Sequence, residues 1–208
     1  MSILDLIVKG GFLMYVLTVI SVISIGIIIE KYRQFRKVRI ANNKLIESLK
    51  SQDKLENIRA LINLHQNECP MGIMLYKLFN SPSDDLDLIN QSMEATENLA
   101  LHKLERGLGW LSTFAAIAPL LGFLGTVLGM VNVFMKIQAA NQSGVDISML
   151  AGGIWVALLT TVGGLIVGIF TIIFYNDLVQ KLENIVKDMQ DNAIEHIIKY
   201  KKIMQGKL

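Results

Sequence analysis

Residues 118–132 read A-P-L-L-G-F-L-G-T-V-L-G-M-V-N. They lie inside an uncharged run from Gly107 to Met135, bounded by Arg106 and Lys136. A mostly apolar run of this length reads as a transmembrane helix, since about 20 residues cross the ~30 Å hydrocarbon core. Small residues recur within it at steps of three and four: Ala115, Ala118, Gly122, Thr126 and Gly129. These fall near one helical face. In lipid, helices are held by packing rather than by hydrophobic force, and a small-residue stripe lets a second helix come close. Thr126 is the one hydroxyl in the stripe, so this face is expected to point at protein or at a hydrated path.

Working outward, the same signature occurs twice more. Phe12–Ile29 is an apolar run between Lys9 and Glu30, and Met149–Tyr175 is uncharged. The second of these carries its own stripe: Gly153, Ala157, Thr160/Thr161, Gly164 and Gly168. The first is too long for a signal-peptide core and runs straight into Glu30-Lys31-Tyr32-Arg33 without a small-residue cleavage site. A hydrophobic content of 52% and a mean hydropathy of +0.44 place the whole chain among membrane proteins. The fold class expected is all-α, a polytopic membrane protein with three transmembrane helices, the second and third extended far into the cytoplasm. The expected division is an N-terminus at 1–11, spans at 12–29, 107–136 and 149–175, a helical block at 30–106, a loop at 137–148 and a helical tail at 176–208.

Within the block, Leu45 and Leu49, then Leu55, Ile58, Leu61 and Ile62, have helical spacing. Asp53 with Glu56 resembles a capping box. Pro70 suits the first turn of a helix through Phe79. Asn80-Ser81-Pro82-Ser83 reads as a turn, after which Asp84, Asp85 and Asp87 open a helix at its positive dipole end. That helix is expected to run unbroken to about Lys136. Residues 139–148 read as a polar loop in which Asp146 or Ser148 caps the third span. Beyond it, Leu178, Leu182, Ile185 and Met189 keep helical spacing into the tail.

Charge sets the orientation. The block holds Lys31, Arg33, Arg36, Lys37 and Arg39 directly beside the first span, and the tail adds Lys181, Lys187, Lys199, Lys201 and Lys202. The positive-inside rule therefore places block and tail in the cytoplasm, with the N-terminus and the 139–148 loop on the periplasmic side. A net charge of +2 gives no footing for nucleic acid. Cys69 is the only cysteine, and His65, His102 and His196 lack ligand spacing, so neither a disulfide framework nor a metal site is expected. No nucleophile–base arrangement or phosphate-binding glycine loop is present, and the expectation is a non-enzyme without cofactor.

No Asp, Glu, Lys, Arg or His lies well within any of the three spans. Proton relays through membranes normally use such groups. What the spans offer instead is Thr126, Thr160, Thr161, Thr171 and Asn132. Taken alone, the threonines read as bonding back to their own helix carbonyls.

A resemblance adds to this. Ala118-Pro119-Leu120-Leu121-Gly122-x-x-Gly125-Thr126-Val127-x-Gly129-Met130-x-Asn132-x-Phe134 resembles the second membrane helix of the MotA/TolQ/ExbB proton-channel family. Gly153-Ile154-x-x-Ala157-Leu158-Leu159-Thr160-Thr161-x-x-Gly164-Leu165, ending in Tyr175-Asn176, is similar to the third. The length is most like ExbB or TolQ. The resemblance implies a homopentamer around two copies of an ExbD/TolR-like single-span partner whose membrane aspartate takes up the proton. A TonB-like or other periplasm-spanning protein is a further implied partner, and the implied location is the bacterial inner membrane. It implies an ion-path role for Thr126 and Thr161, and for Thr160, where many relatives have a small residue. Ala118, Gly122, Gly129, Asn132, Gly153, Ala157, Gly164 and Gly168 are the implied packing and pore-lining positions. Two positions depart from the family pattern: Val156 stands where many ExbB-type chains have glutamate, and Phe170 where many have proline. The alternatives are a non-conducting membrane scaffold and a MotA-like motility stator.

Overall fold

A computed structural model describes residues 10–52, 55–66, 68–80, 86–139 and 147–204. It contains α1 (Gly11–Lys50), α2 (Leu55–His65), α3 (Pro70–Phe79), α4 (Leu86–Glu105), α5 (Leu108–Ala139) and α6 (Ile147–Met204), with no strand among the described residues. The all-α expectation holds. Among the described residues three helices are long and apolar enough to cross a membrane, in Gly11–Lys50, Leu108–Gln138 and Leu150–His196. Asp53, Asp84, Asp85, Asp146 and the Ser81–Ser83 turn lie outside the described residues, and Ser148 lies inside α6 rather than ahead of it.

The chain forms two compact units, one from Met1–Ile29 with Gly107–Asp177, the other from Glu30–Arg106 with Leu178–Leu208. In the first, α6 packs on both other spans. Gly163 meets the thioether of Met14 on α1 at 3.1 Å from an added Cβ, while Gly164, one residue on, faces α5. Successive helical residues point about 100° apart, so neighbouring glycines serve different partners.

In the second unit the helical spacing is realised as buried stripes: Leu45 and Leu49 of α1, Ile58 and Ile62 of α2, and Leu178, Leu182, Ile185 and Met189 of α6 are all at most 5% exposed. Helix α3 packs against α2 and α4 and contributes Met71, Met74 and Leu75 to the core.

Pro70 opens α3 as its position predicted. The orphan amides of that first turn are taken up locally. Cys69 Sγ accepts from the Gly72 N–H at 3.4 Å, Asn42 Oδ1 of α1 accepts from the Met71 N–H at 3.4 Å, and the Cys69 carbonyl accepts from the Ile73 N–H at 3.2 Å. A side chain at Gly72 would run into the His65 carbonyl at the end of α2, so glycine lets the two helix ends meet.

One expectation is corrected. The helix opened near Asp84 does not continue to Lys136. It stops at Glu105, and α5 starts at Leu108 after a turn at Arg106–Gly107. Gly107 has φ +100°, a conformation that side-chain-bearing residues avoid. Glycine just past a basic last turn is a helix-stop signal, and it stood in the sequence behind Lys103 and Arg106. The end of α4 is also held from outside. Lys31, 4% exposed, donates from Nζ to the Leu104 carbonyl at 3.1 Å and to Gln34 Oε1 at 2.7 Å. A cation at the negative end of a helix is favourable, and here it also satisfies a last-turn carbonyl.

Cys69 is 3% exposed. Burial pushes its thiol above the ordinary cysteine value, outweighing the amide that points at the sulfur. Raising the pH through the range where a free thiol ionises should therefore leave native Cys69 unreactive. Maleimide labelling of native protein is expected to be slower than that of denatured protein by roughly tenfold or more, and labelling equally fast in both states would show the site to be open.

Candidate ion path and helix interface

The two stripes of small residues face each other. Along α5 and α6 the meeting points are Pro119 with Gly168, Gly122 with Gly164, Gly125 with Thr160, Gly129 with Ala157, and Val133 with Gly153. Residue numbers rise on one helix as they fall on the other, so the pair is antiparallel. An added Cβ at Gly164 would lie 2.5 Å from the Ala118 carbonyl oxygen and 2.8 Å from Gly122 Cα; one at Gly122 would lie 2.9 Å from the Thr160 carbonyl oxygen. The backbones themselves are in contact there, which is what small residues at helical spacing permit in a membrane. Ala118 and Ala157 are 0% and 2% exposed.

Three residues absent from the stripe as read from the sequence complete this interface. Gly125 leaves the notch that Thr160 fills; it stands three residues after Gly122 and four before Gly129, which is helical spacing in plain view. Val133 abuts Gly153, while Asn132 is exposed and stands outside the interface. Pro119 sits inside α5 and has no N–H for the Ala115 carbonyl one turn earlier. Gly168 lies against that same place: a Cβ there would come within 2.8 Å of the proline ring and 3.2 Å of the Ala115 oxygen.

The hydroxyls divide into two kinds. Thr126 Oγ1 donates to the Phe123 carbonyl at 2.6 Å, Thr160 Oγ1 to Ala157 at 2.7 Å, and Thr171 Oγ1 to Val167 at 2.8 Å. These are bonds within one helix, as the threonines taken alone suggested. Thr161 differs: its Oγ1 crosses to the Gly122 carbonyl of α5 at 2.9 Å. Thr160 is 2% exposed and acts as a knob in the Gly125 notch. Thr126 and Thr161 are half-buried, and both address the turn of α5 between Gly122 and Thr126. With their protons donated to carbonyls, both oxygens keep acceptor capacity. The structure thus groups Thr126 and Thr161 around one turn and turns Thr160 into a packing residue.

The sequence pattern of the MotA/TolQ/ExbB proton channel family matches residues 66–191. The chain belongs to this family. An ExbB-like biopolymer transport protein of Synechocystis is 28% identical over 85% of this chain and 70% of its own length. The Tol-Pal system protein TolQ of Haemophilus influenzae is 29% identical over 90% of this chain and 89% of its own. The biopolymer transport protein ExbB of Salmonella typhimurium is 28% identical over 93% and 82% respectively. Family and apolar helices together make the chain a multi-pass inner-membrane protein of a proton-channel family.

The glycines provide an internal control. Gly152 has nothing within 4 Å of an added Cβ, whereas Gly164 has backbone atoms on two sides. Gly164→Ala should lower the melting temperature in mild detergent, by a destabilisation of about 1–3 kcal/mol from overpacking. Gly152→Ala should leave it unchanged or raise it slightly, since alanine is the better helix former by up to about 1 kcal/mol. Equal melting of the two variants would contradict the antiparallel contact described above.

Proposed function

We propose that this chain is the ring-forming subunit of an inner-membrane motor driven by the proton-motive force, of the ExbB/TolQ kind. Five copies surround the membrane helices of two single-span, ExbD/TolR-like partner chains, which carry the proton-accepting aspartate. The N-terminus lies in the periplasm, the second unit in the cytoplasm. The motor energises transport or envelope processes through a periplasm-spanning protein such as TonB.

The observation that carries this reading is the spans' lack of a titratable group in a chain of a proton-channel family. Its apolar interior offers hydroxyl oxygens and carbonyls, so the group that ionises is supplied by another molecule. The faces away from the α5–α6 contact support an assembly. Of the most apolar stretches of the three spans, only 22%, 22% and 28% is buried within one chain. Phe123, Phe134, Ile166 and Ile173 are each at least 59% exposed and need lipid or neighbouring subunits.

The mechanism follows from charge. A carboxylate in hydrocarbon is costly, and protonation removes that cost. One charge crossing ~100 mV releases about 2.3 kcal/mol, enough to bias a helix between positions in a ring. Thr126 and Thr161, holding acceptor oxygens at one turn of α5, steady the neutral acid by accepting its proton in a hydrogen bond. The tight α5–α6 pair serves as the wall against which the partner moves. A second reading, a non-conducting scaffold, draws on one specific observation: the Thr161 hydroxyl is bonded to Gly122, which a purely structural tie also explains.

Proteoliposomes holding this chain with its cognate partner separate the two. Under an imposed pH gradient and potential, Thr161→Val should lower proton flux by roughly tenfold, the weight of about one hydrogen bond, with assembly retained, and Thr161→Ser should restore it. No flux in the wild type would leave the scaffold standing, and wild-type flux in Thr161→Val would remove Thr161 from the ion path.

A further inference from the structure

The second unit holds a cavity of about 610 Å³ between α1 and α6, lined by Tyr32, Phe35, Arg33, Arg36, Arg39, Lys181, Asn184, Ile185 and Asp188. Cations outnumber the single carboxylate, Asp188, in that lining. Arg33, Arg36 and Arg39 repeat at a spacing of three along one helix, which sets them on one side of α1. Among the described residues none of these arginines has an ion pair. Lys181 arrives from α6, its Nζ 4.9 Å from the centre of the Tyr32 ring. A cation over an aromatic face is held in place without losing its charge. The floor is apolar, with Phe35 and Ile185 buried at 3% and 5% exposure. The volume is that of a small-molecule site.

Guanidinium groups in a row, with an ammonium opposite, match the oxygens of a phosphate. Arg33 follows Ile29, the last residue of the first apolar run, by only four positions along an unbroken helix. Basic pockets next to membrane helices on the cytoplasmic side take anionic lipid head groups. The sequence accounts for Lys31–Arg39 by topology alone; what topology does not require is a lysine from the far end of the chain at the same cavity, or an apolar floor beneath it.

We infer that this cavity binds a phosphate group, that of an anionic phospholipid of the inner leaflet, through Arg33, Arg36, Arg39 and Lys181. The inference rests on the cytoplasmic placement of the second unit proposed above but not on whether the assembly conducts protons, and its test does not read conduction.

The full-length protein in mild detergent is titrated with short-chain phosphatidylglycerol, phosphatidylcholine, and soluble glycerol phosphate, and bound species are counted by native mass spectrometry. Phosphatidylglycerol should be retained in preference to phosphatidylcholine. The triple variant Arg33→Gln/Arg36→Gln/Arg39→Gln should weaken that retention about tenfold or more, with the helical circular dichroism unchanged. Asp188→Asn, which removes the carboxylate from the lining, should strengthen it, and this arm holds even where the triple variant folds poorly. Equal retention of both lipids, or phosphatidylglycerol retention unmoved in either variant, would overturn the assignment. Glycerol phosphate binding as tightly as the lipid would overturn the lipid source and make the cavity a site for a soluble phosphate.

Discussion

Two helices in hydrocarbon gain nothing by hiding apolar side chains from a solvent that is itself apolar. What holds α5 to α6 has to come from contact. Each pair of heavy atoms contributes only about 0.1–0.2 kcal/mol, and a gap of about 0.5–1 Å already forfeits a quarter to a half of that. The approach of Gly122 to Gly164, backbone against backbone, is therefore the constraint on which the membrane unit rests. It fixes the antiparallel register, seats Thr160 in the Gly125 notch and Gly168 on the Pro119 ring, and brings the Thr161 hydroxyl to the Gly122 carbonyl. It also accounts for the small-residue stripes within one chain, while bulky Leu, Ile and Phe residues stand exposed on the other faces.

That arrangement shapes what the protein can do with a proton. Hydroxyls bonded to carbonyls do not titrate, and no carboxylate stands in the spans to do so. A membrane wall of this sort is stable because it is uncharged. The same neutrality leaves the spans of this chain without a titratable group of their own.

The second unit is built on different physics. Its core is ordinary hydrophobic burial, with Leu45, Leu49, Met71, Met74, Leu75 and Leu178 at most 1% exposed. Its helix ends are tied by polar groups: Asn42 at the start of α3 and Lys31 at the end of α4. Both ties come from α1, the helix that continues out of the first apolar run. Lys31 thus does more than report topology. It closes the last turn of α4 just ahead of the Gly107 bend.

The existence of the three spans, the helical stripes of the second unit and the Pro70 helix start were all legible in the residues. They depend on quantities local in sequence: the thickness of hydrocarbon, the cost of a charge in it, and the 3.6-residue period. The Gly107 stop was legible too, from glycine behind a basic turn, and was outweighed by the apolar continuity around it. Other features depended on the tertiary structure. Gly125 and Thr126, or Asn132 and Val133, are neighbours about 100° apart on a helix, and each pair contains one residue that could face α6. Only the crossing of the two helices selects Gly125 and Val133. The same holds for Thr161, whose partner lies on another helix, and for Lys181, which meets Tyr32 only once the chain has folded back. A one-dimensional pattern specifies which faces exist; which faces meet is set by packing between segments far apart in the chain.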